Sequence, residues 1–239
     1  MSETARSLLG PAPEGVMRWA LGKALQWTLR AAGLHRYDDY RLENVRGMRL
    51  LVLPSVSNPN LLRTGAFFAQ CLDASITAER HVLDMGTGSG VCALFAARHA
   101  QRVVAVDINR AAVRCAGINA AINHLDHRIE VRHGDLFGPV AAERFDLVLF
   151  NPPFLLGAPR DERDAAWRSG DLAGRFATAL DAHLAPQGAA LLLLSTFGDA
   201  CELFVDELRS RDFLLSVQAR RRFINETLTL LRVTRRADT

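Results

Sequence analysis

Lysine is almost missing from this sequence: Lys23 stands alone among 29 basic residues, and the rest are arginine. Charge of either sign is nearly balanced, with a net of +3 over 239 residues. That is too mild to demand nucleic acid as a partner. The Arg220-Arg221-Arg222 run and Arg235-Arg236 read as solvated edges. Long hydrophobic runs are missing too: Ala189–Leu194 has the length of a buried strand, not of a membrane span. The N-terminus lacks the compact apolar segment and cleavage site of a secretory signal. Cysteine is scarce and unpaired in pattern. Cys71, Cys92, Cys115 and Cys201 form no C-x-x-C, which excludes a redox or zinc framework and fits buried thiols in a reducing cytoplasm. His124 and His127 are three apart with no Cys or acid arrangement of metal type, so no metal is expected.

What remains is one soluble α/β unit with an alternating pattern. Residues 1–47 read as an N-terminal extension, with a helix over Val16–Ala32 stopped by Gly33 and then a hairpin, Tyr40–Asn44 and Met48–Leu53. Residues 48–239 read as the main domain. Leu53–Asn60 is rich in turn residues and reads as a lid or connector, and Leu61–Ala74 as one helix. Strands are expected at His81–Asp84, Arg102–Asp107, Ile129–His133, Phe145–Phe150 and Ala189–Ser195. Helices are expected at Val91–Ala100, Arg110–Asn123, Leu172–Leu184 and Asp199–Ser210. This alternation predicts a mostly parallel sheet with helices on both faces. Phe213–Arg220 and Glu226–Val233 predict a final antiparallel hairpin.

The organising stretch is His81-Val82-Leu83-Asp84-Met85-Gly86-Thr87-Gly88-Ser89-Gly90. A strand end, a glycine loop and a helix start make a nucleotide site, because glycine admits positive φ and close approach, and the helix N-terminus offers N–H groups. The loop lacks the Gly-Lys-Ser/Thr of a P-loop. Its G-x-G-x-G spacing differs from the dinucleotide G-x-G-x-x-G, and Asp84 just ahead of it is awkward for a pyrophosphate. An acid there suits a ligand with a cationic centre and an amino group. Asp107, about 20 residues after the loop, stands where an acid grips ribose hydroxyls, with Ile108 beside it.

Asp84–Gly90 resembles motif I of the class I S-adenosylmethionine (SAM)-dependent methyltransferases. The resemblance implies a Rossmann-like fold with a seven-stranded sheet and SAM as cofactor. It further implies that Asp135 takes the adenine amine and that Leu136 lies on the adenine face. Asn151-Pro152-Pro153-Phe154 is similar to that family's Asn-Pro-Pro-aromatic motif, found where the acceptor is a nitrogen on a planar conjugated group. The residue types fit that chemistry. An amide or aromatic amine is a poor nucleophile, so it must be held in line. The Asn151 side-chain oxygen and the Pro152 carbonyl can each accept one N–H of the NH2, Pro153 stiffens the turn, and Phe154 offers a stacking face. Asn151–Thr196 resembles the HemK-like glutamine N5-methyltransferases of release-factor type, whose Pro54–Gly65 counterpart lies on the cofactor side. Those enzymes carry a larger N-terminal helical domain than residues 1–46 offer. The acceptor therefore stays open between a protein glutamine, adenine N6 or guanine N2 of a nucleic acid, and a small molecule. A non-catalytic SAM-binding subunit and an NAD-dependent oxidoreductase are the readings of other classes.

Overall fold

The computed structural model describes residues 7–10, 39–72, 76, 80–153, 155–156, 168–169, 171–196, 200–224 and 226–236. The helix expected over Val16–Ala32 and the aromatic Phe154 lie outside them. In chain order the elements begin with β1 (Arg41–Val45), β2 (Met48–Val52), α1 (Pro59–Leu62), α2 (Thr64–Leu72), β3 (His81–Met85), α3 (Val91–Ala97) and β4 (Arg102–Asp107). Next come α4 (Arg110–Ile122), β5 (Ile129–His133), β6 (Phe145–Phe150), β7 (Leu155–Leu156), β8 (Arg168–Ser169) and α5 (Leu172–His183). The series closes with β9 (Leu184–Ser195), α6 (Ala200–Arg209), β10 (Phe213–Arg222) and β11 (Thr227–Arg235).

The main sheet has seven strands in the order β10-β11-β9-β6-β3-β4-β5. From β9 to β5 neighbouring strands are parallel. Strand β11 enters antiparallel between β9 and β10, as the terminal hairpin pattern predicts. Alternate residues of each strand feed two cores. Leu83, Met85, Val148, Phe150, Leu192 and Leu194 pack on one face with Phe176 and Leu180 of α5 and Phe204 and Leu208 of α6. Val82, Val103, Leu147, Leu149, Leu191 and Leu193 pack on the other with Phe68 of α2 and Leu94 and Phe95 of α3. Covering both faces is why the central strands are continuous apolar runs rather than alternating ones. Phe68, Phe95, Phe176 and Phe204 are fully buried, each contributing about 1.5–3 kcal/mol. The layers therefore fix the strand ends on which the site is built.

The chain runs from β3 outward to β4 and β5, then returns to place β6 on the other side of β3. That reversal puts a crevice at the carboxyl ends of β3 and β6. Phe150 pairs with Met85 there, so the residues after each strand, Asn151 and Gly86, start at one level.

Two expectations on element bounds are corrected. The helix expected over Leu61–Ala74 is two helices, because Pro59 and Asn60 already form the first turn of α1, a position proline favours. Arg63 then breaks the run at φ 60, and α2 ends at Leu72. The break sets Gly65 so close to its neighbours that a Cβ would lie 3.0 Å from Pro59 Cβ and 3.2 Å from Val91 Cγ1. Strand β9 starts at Leu184, five residues before the expected Ala189. Its pairing with β6 jumps from Phe145↔Leu184 to Leu147↔Ala189, so the Ala185–Gly188 turn survives as a bulge inside the strand.

Candidate active site

The loop after β3 turns at Gly86, Gly88 and Gly90, with φ of 63°, 55° and 81°. Two of these glycines are needed for different reasons. A Cβ on Gly90 would lie 3.1 Å from both Cα and Cβ of Ala116 on α4, whereas one on Gly88 would meet nothing within 4 Å. Gly88 thus presents bare backbone to open space, as a cradle for a ligand requires. The Thr87 N–H donates to the Val106 carbonyl at 3.0 Å and the Gly90 N–H to the Thr87 carbonyl at 2.8 Å. The loop is thereby stitched to β4 and closed on itself.

Asp84 lies beneath this loop, almost fully buried. Its Oδ2 accepts from Thr87 Oγ1 at 2.6 Å and from the Ala93 N–H at 3.0 Å. The second bond satisfies an N–H in the first turn of α3, so the carboxylate serves that helix terminus. Both bonds fall on one oxygen, which leaves Oδ1 for another donor. Burial pushes the Asp84 carboxyl up to about 7, against the pull of its two hydrogen bonds and with a further push from Asp107.

Asp107 ends β4 and uses both oxygens. Oδ2 accepts the Gly88 N–H at 2.8 Å and Oδ1 the Asn109 N–H at 2.9 Å. Burial raises this carboxyl as well, while those bonds and the nearby His133 lower it. Helix α4 is capped by Asn109, whose side chain accepts from the Ala111 N–H at 2.8 Å. Ile108 stands exposed beside the acid. Asp135 follows β5, is exposed, and forms an ion pair with Arg175 of α5. Leu136 is left-handed at φ 46 and packs against the core that holds Phe137.

Asn151 leaves β6 directly. Its Nδ2 donates to Thr64 Oγ1 at 3.3 Å, while its Oδ1 is buried with no partner among the described residues. Pro152 is buried and Pro153 half-buried. The described residues therefore bring Asp84, the glycine loop and Asp107 into one hydrogen-bonded group, with Asn151 one strand away; Asp135 belongs to an ion pair at the rim.

Three contributors escape a reading of the sequence. Thr64 touches Asn151 across 87 positions. Asn119, wholly buried, donates to the Ser89 carbonyl of the loop at 2.9 Å. Glu43 of β1 holds Asn58 Nδ2 at 2.7 Å and Asn60 Nδ2 at 2.8 Å, and the Ser55 carbonyl accepts from Asn109 Nδ2 at 3.1 Å. The segment read as a lid or connector is thus tied to β1 and to the Asp107 turn. The one available signal was the polar spacing Asn119–Asn123 on an otherwise apolar helix face. Among the described residues, no cluster of three or more His, Cys, Asp or Glu could hold a metal, and no helix is long and apolar enough to cross a membrane.

This sheet order and loop are those of the class I methyltransferase fold. The methyltransferase small domain family matches residues 50–212, and the chain belongs to it. The ribosomal protein uL3 glutamine methyltransferase of Bradyrhizobium diazoefficiens is 37% identical over 55% of this chain and 44% of its own length. The release factor glutamine methyltransferase of Xylella fastidiosa is 35% identical over 56% of this chain and 58% of its own. The chain thus spans about half the length of these relatives. Among solved structures, a T. thermophilus 16S rRNA N2 methyltransferase in complex with AdoMet and guanosine superposes with a TM-score of 0.61 at 21% identity, covering 83% of this chain and 50% of that one.

Proposed function

We propose that this chain is a SAM-dependent N-methyltransferase acting on the NH2 of a planar amide or exocyclic amine, with a protein glutamine as acceptor. One observation carries the reading: the buried Oδ1 of Asn151, which has no partner among the described residues, one strand from a glycine cradle. A buried acceptor atom left unpaired costs about 1–3 kcal/mol, so its retention at the crevice is explained by a donor that arrives there. The relatives that act on glutamine support the amide as that donor.

The residues fit the cofactor. The open space over Gly88 and the free Oδ1 of Asp84 suit the amino acid end of SAM. Asp107 suits the ribose diol, since carboxylate oxygens keep further lone pairs after one bond each. Exposed Ile108 and half-buried Leu136 suit the adenine faces, and Asp135 would share its carboxylate between Arg175 and the adenine amine. Bound there, SAM supplies an electrophilic methyl group on a sulfonium. The protein's part is to position the acceptor. Asn151 Oδ1 takes one N–H of the acceptor and the Pro152 carbonyl the other, which aligns the nitrogen lone pair. Both bonds strengthen as positive charge grows on nitrogen. No general base is needed, because an N-methylated amide cation sheds its proton readily to solvent.

The second reading is a nucleic-acid base, favoured by the fold-level likeness to an enzyme solved with guanosine. In either case the methyltransferase domain is assigned to residues 48–239, with 1–47 as an extension. Four free thiols suit a reducing cytoplasm. Incubation with isotopically labelled SAM and a fractionated cell lysate tests the proposal: label is expected in protein, released as N5-methylglutamine on enzymatic digestion. Label in RNA alone selects the second reading. Asn151→Ala is expected to abolish transfer with SAM affinity nearly intact; transfer at the normal rate by that variant overturns the mechanism.

A further inference from the structure

The geometry points to Thr64 as a positioning residue that selects the working orientation of the Asn151 amide, an inference that rests on the N-methyltransferase reading. Asn151 has two ends. Its Nδ2 donates to Thr64 Oγ1 at 3.3 Å, and its Oδ1, aimed away from that bond, is buried with no partner among the described residues. An acceptor NH2 brings only donors to this point. It can therefore be held only by the oxygen end, and the amide nitrogen must then find an acceptor behind it. Thr64 Oγ1 is that acceptor. With the amide turned over, NH2 would face NH2 and the acceptor would be repelled.

The surroundings make Thr64 a rigid partner. It is buried and opens α2 immediately after the left-handed break at Arg63. The next residue, Gly65, is wedged between Pro59 and Val91, and Val91 begins the helix that follows the glycine loop. The start of α2 is thus held by packing against the cofactor-side segment and the cofactor helix at once. The hydroxyl's position is set by the same contacts that shape the cradle, and Asn151 is referenced to the methyl donor through it.

Thr64→Val keeps the shape and removes the hydroxyl; Thr64→Ser keeps the hydroxyl and removes the methyl. The initial rate of methyl transfer to whichever lysate fraction the wild type labels, at saturating SAM, is expected to fall about 10- to 100-fold in the valine variant. The affinity for S-adenosylhomocysteine by calorimetry should change less than twofold, and the serine variant should recover most of the rate. A valine variant with the normal rate, beside an inactive Asn151→Ala, overturns the role of Thr64 and leaves the parent reading standing. An active Asn151→Ala overturns the parent reading instead. A readout that needs no acceptor is the Asn151 side-chain amide in 15N spectra of the S-adenosylhomocysteine complex. Its hydrogen exchange should speed up at least tenfold in Thr64→Val and not in Thr64→Ser; equal exchange in all three proteins also overturns the proposal.

Discussion

Asn119 pairs with Leu51 as one β-strand pairs with another. Its Oδ1 accepts the Leu51 N–H at 2.7 Å and its Nδ2 donates to the Leu51 carbonyl at 3.0 Å. One turn later Asn123 repeats the pattern on Arg49, at 3.1 Å and 2.7 Å. Two amides at helical spacing thus satisfy the outer edge of β2 and dock the β1–β2 hairpin on α4. Asn119 also donates to the Ser89 carbonyl, so the hairpin and the glycine loop hang from one side chain.

Asn119→Ala should therefore be costly. It strips partners from the half-buried Leu51 N–H and the buried Ser89 carbonyl, at about 1–3 kcal/mol for an unsatisfied group. We expect a loss of roughly 3 kcal/mol and a Tm lower by about 6–12 °C. The less buried counterpart Asn123→Ala should lose about 1 kcal/mol or less. Calorimetric melting of both variants checks the ranking; equal losses would contradict the strand-like role of Asn119.

Gly88 and Gly90 should separate ligand binding from stability. Alanine at Gly90 meets Ala116 at 3.1 Å as well as the strain of positive φ, about 1–2 kcal/mol. Alanine at Gly88 carries the strain alone, but its methyl projects into the open cradle. Gly90→Ala should lose more in urea denaturation, and Gly88→Ala more in S-adenosylhomocysteine affinity. The reverse order would place the ligand elsewhere.

Asp84 should make both stability and binding depend on pH, in opposite directions. Its carboxyl titrates at about 7 when folded, against roughly 4 in an unfolded chain. The folded state therefore holds the proton more tightly. The stabilisation is complete below about pH 4 and is lost as pH rises through 7. Relative to Asp84→Asn, the wild type should lose roughly 3 kcal/mol between about pH 5 and 8. A ligand ammonium favours the ionised carboxylate, so S-adenosylhomocysteine should bind more tightly as pH rises from about 5 to 7 and should release a proton on binding. Calorimetry in buffers of different ionisation enthalpy measures that proton; none released would remove Asp84 from the binding site.

Glu43→Ala should loosen the segment before α2, since both carboxylate oxygens are spent on Asn58 and Asn60. Limited proteolysis between residues 53 and 60 should accelerate, with overall stability lowered by about 1–2 kcal/mol. Unchanged cleavage would show that the Asn109 bond to Ser55 suffices.

The parts of this structure that were legible in the sequence are those where burial imposes a simple pattern. Strands β4 and β6 fall on their expected bounds because two-sided burial writes them as short apolar runs ended by Asp107 and Asn151, whereas β5, at the sheet edge, is marked only by Ile129 and Val131 alternating with charged residues. The glycine loop was legible because positive φ restricts residue type. Helix α1 was not, because Pro59 and Asn60 suit a turn and a helix start equally well. The support of the site was least legible. Thr64, Asn119 and Glu43 act across 87, 68 and about 15 positions, and nothing local marks a polar side chain whose partner is so distant. The Asp84 bond to Ala93 has no local mark either, and one carboxylate has the capacity for that helix N–H and for a ligand donor together.

The run Gly88–Asp107–Asn109–Ser55 is a single chain of hydrogen bonds that joins the proposed cofactor cradle to the segment before α1. The ordering entropy of this lip is thus settled when the polypeptide folds, not when the donor docks. Association with this domain should accordingly proceed as a one-step encounter near the diffusional rate, with discrimination between donor and demethylated product expressed in how fast each departs.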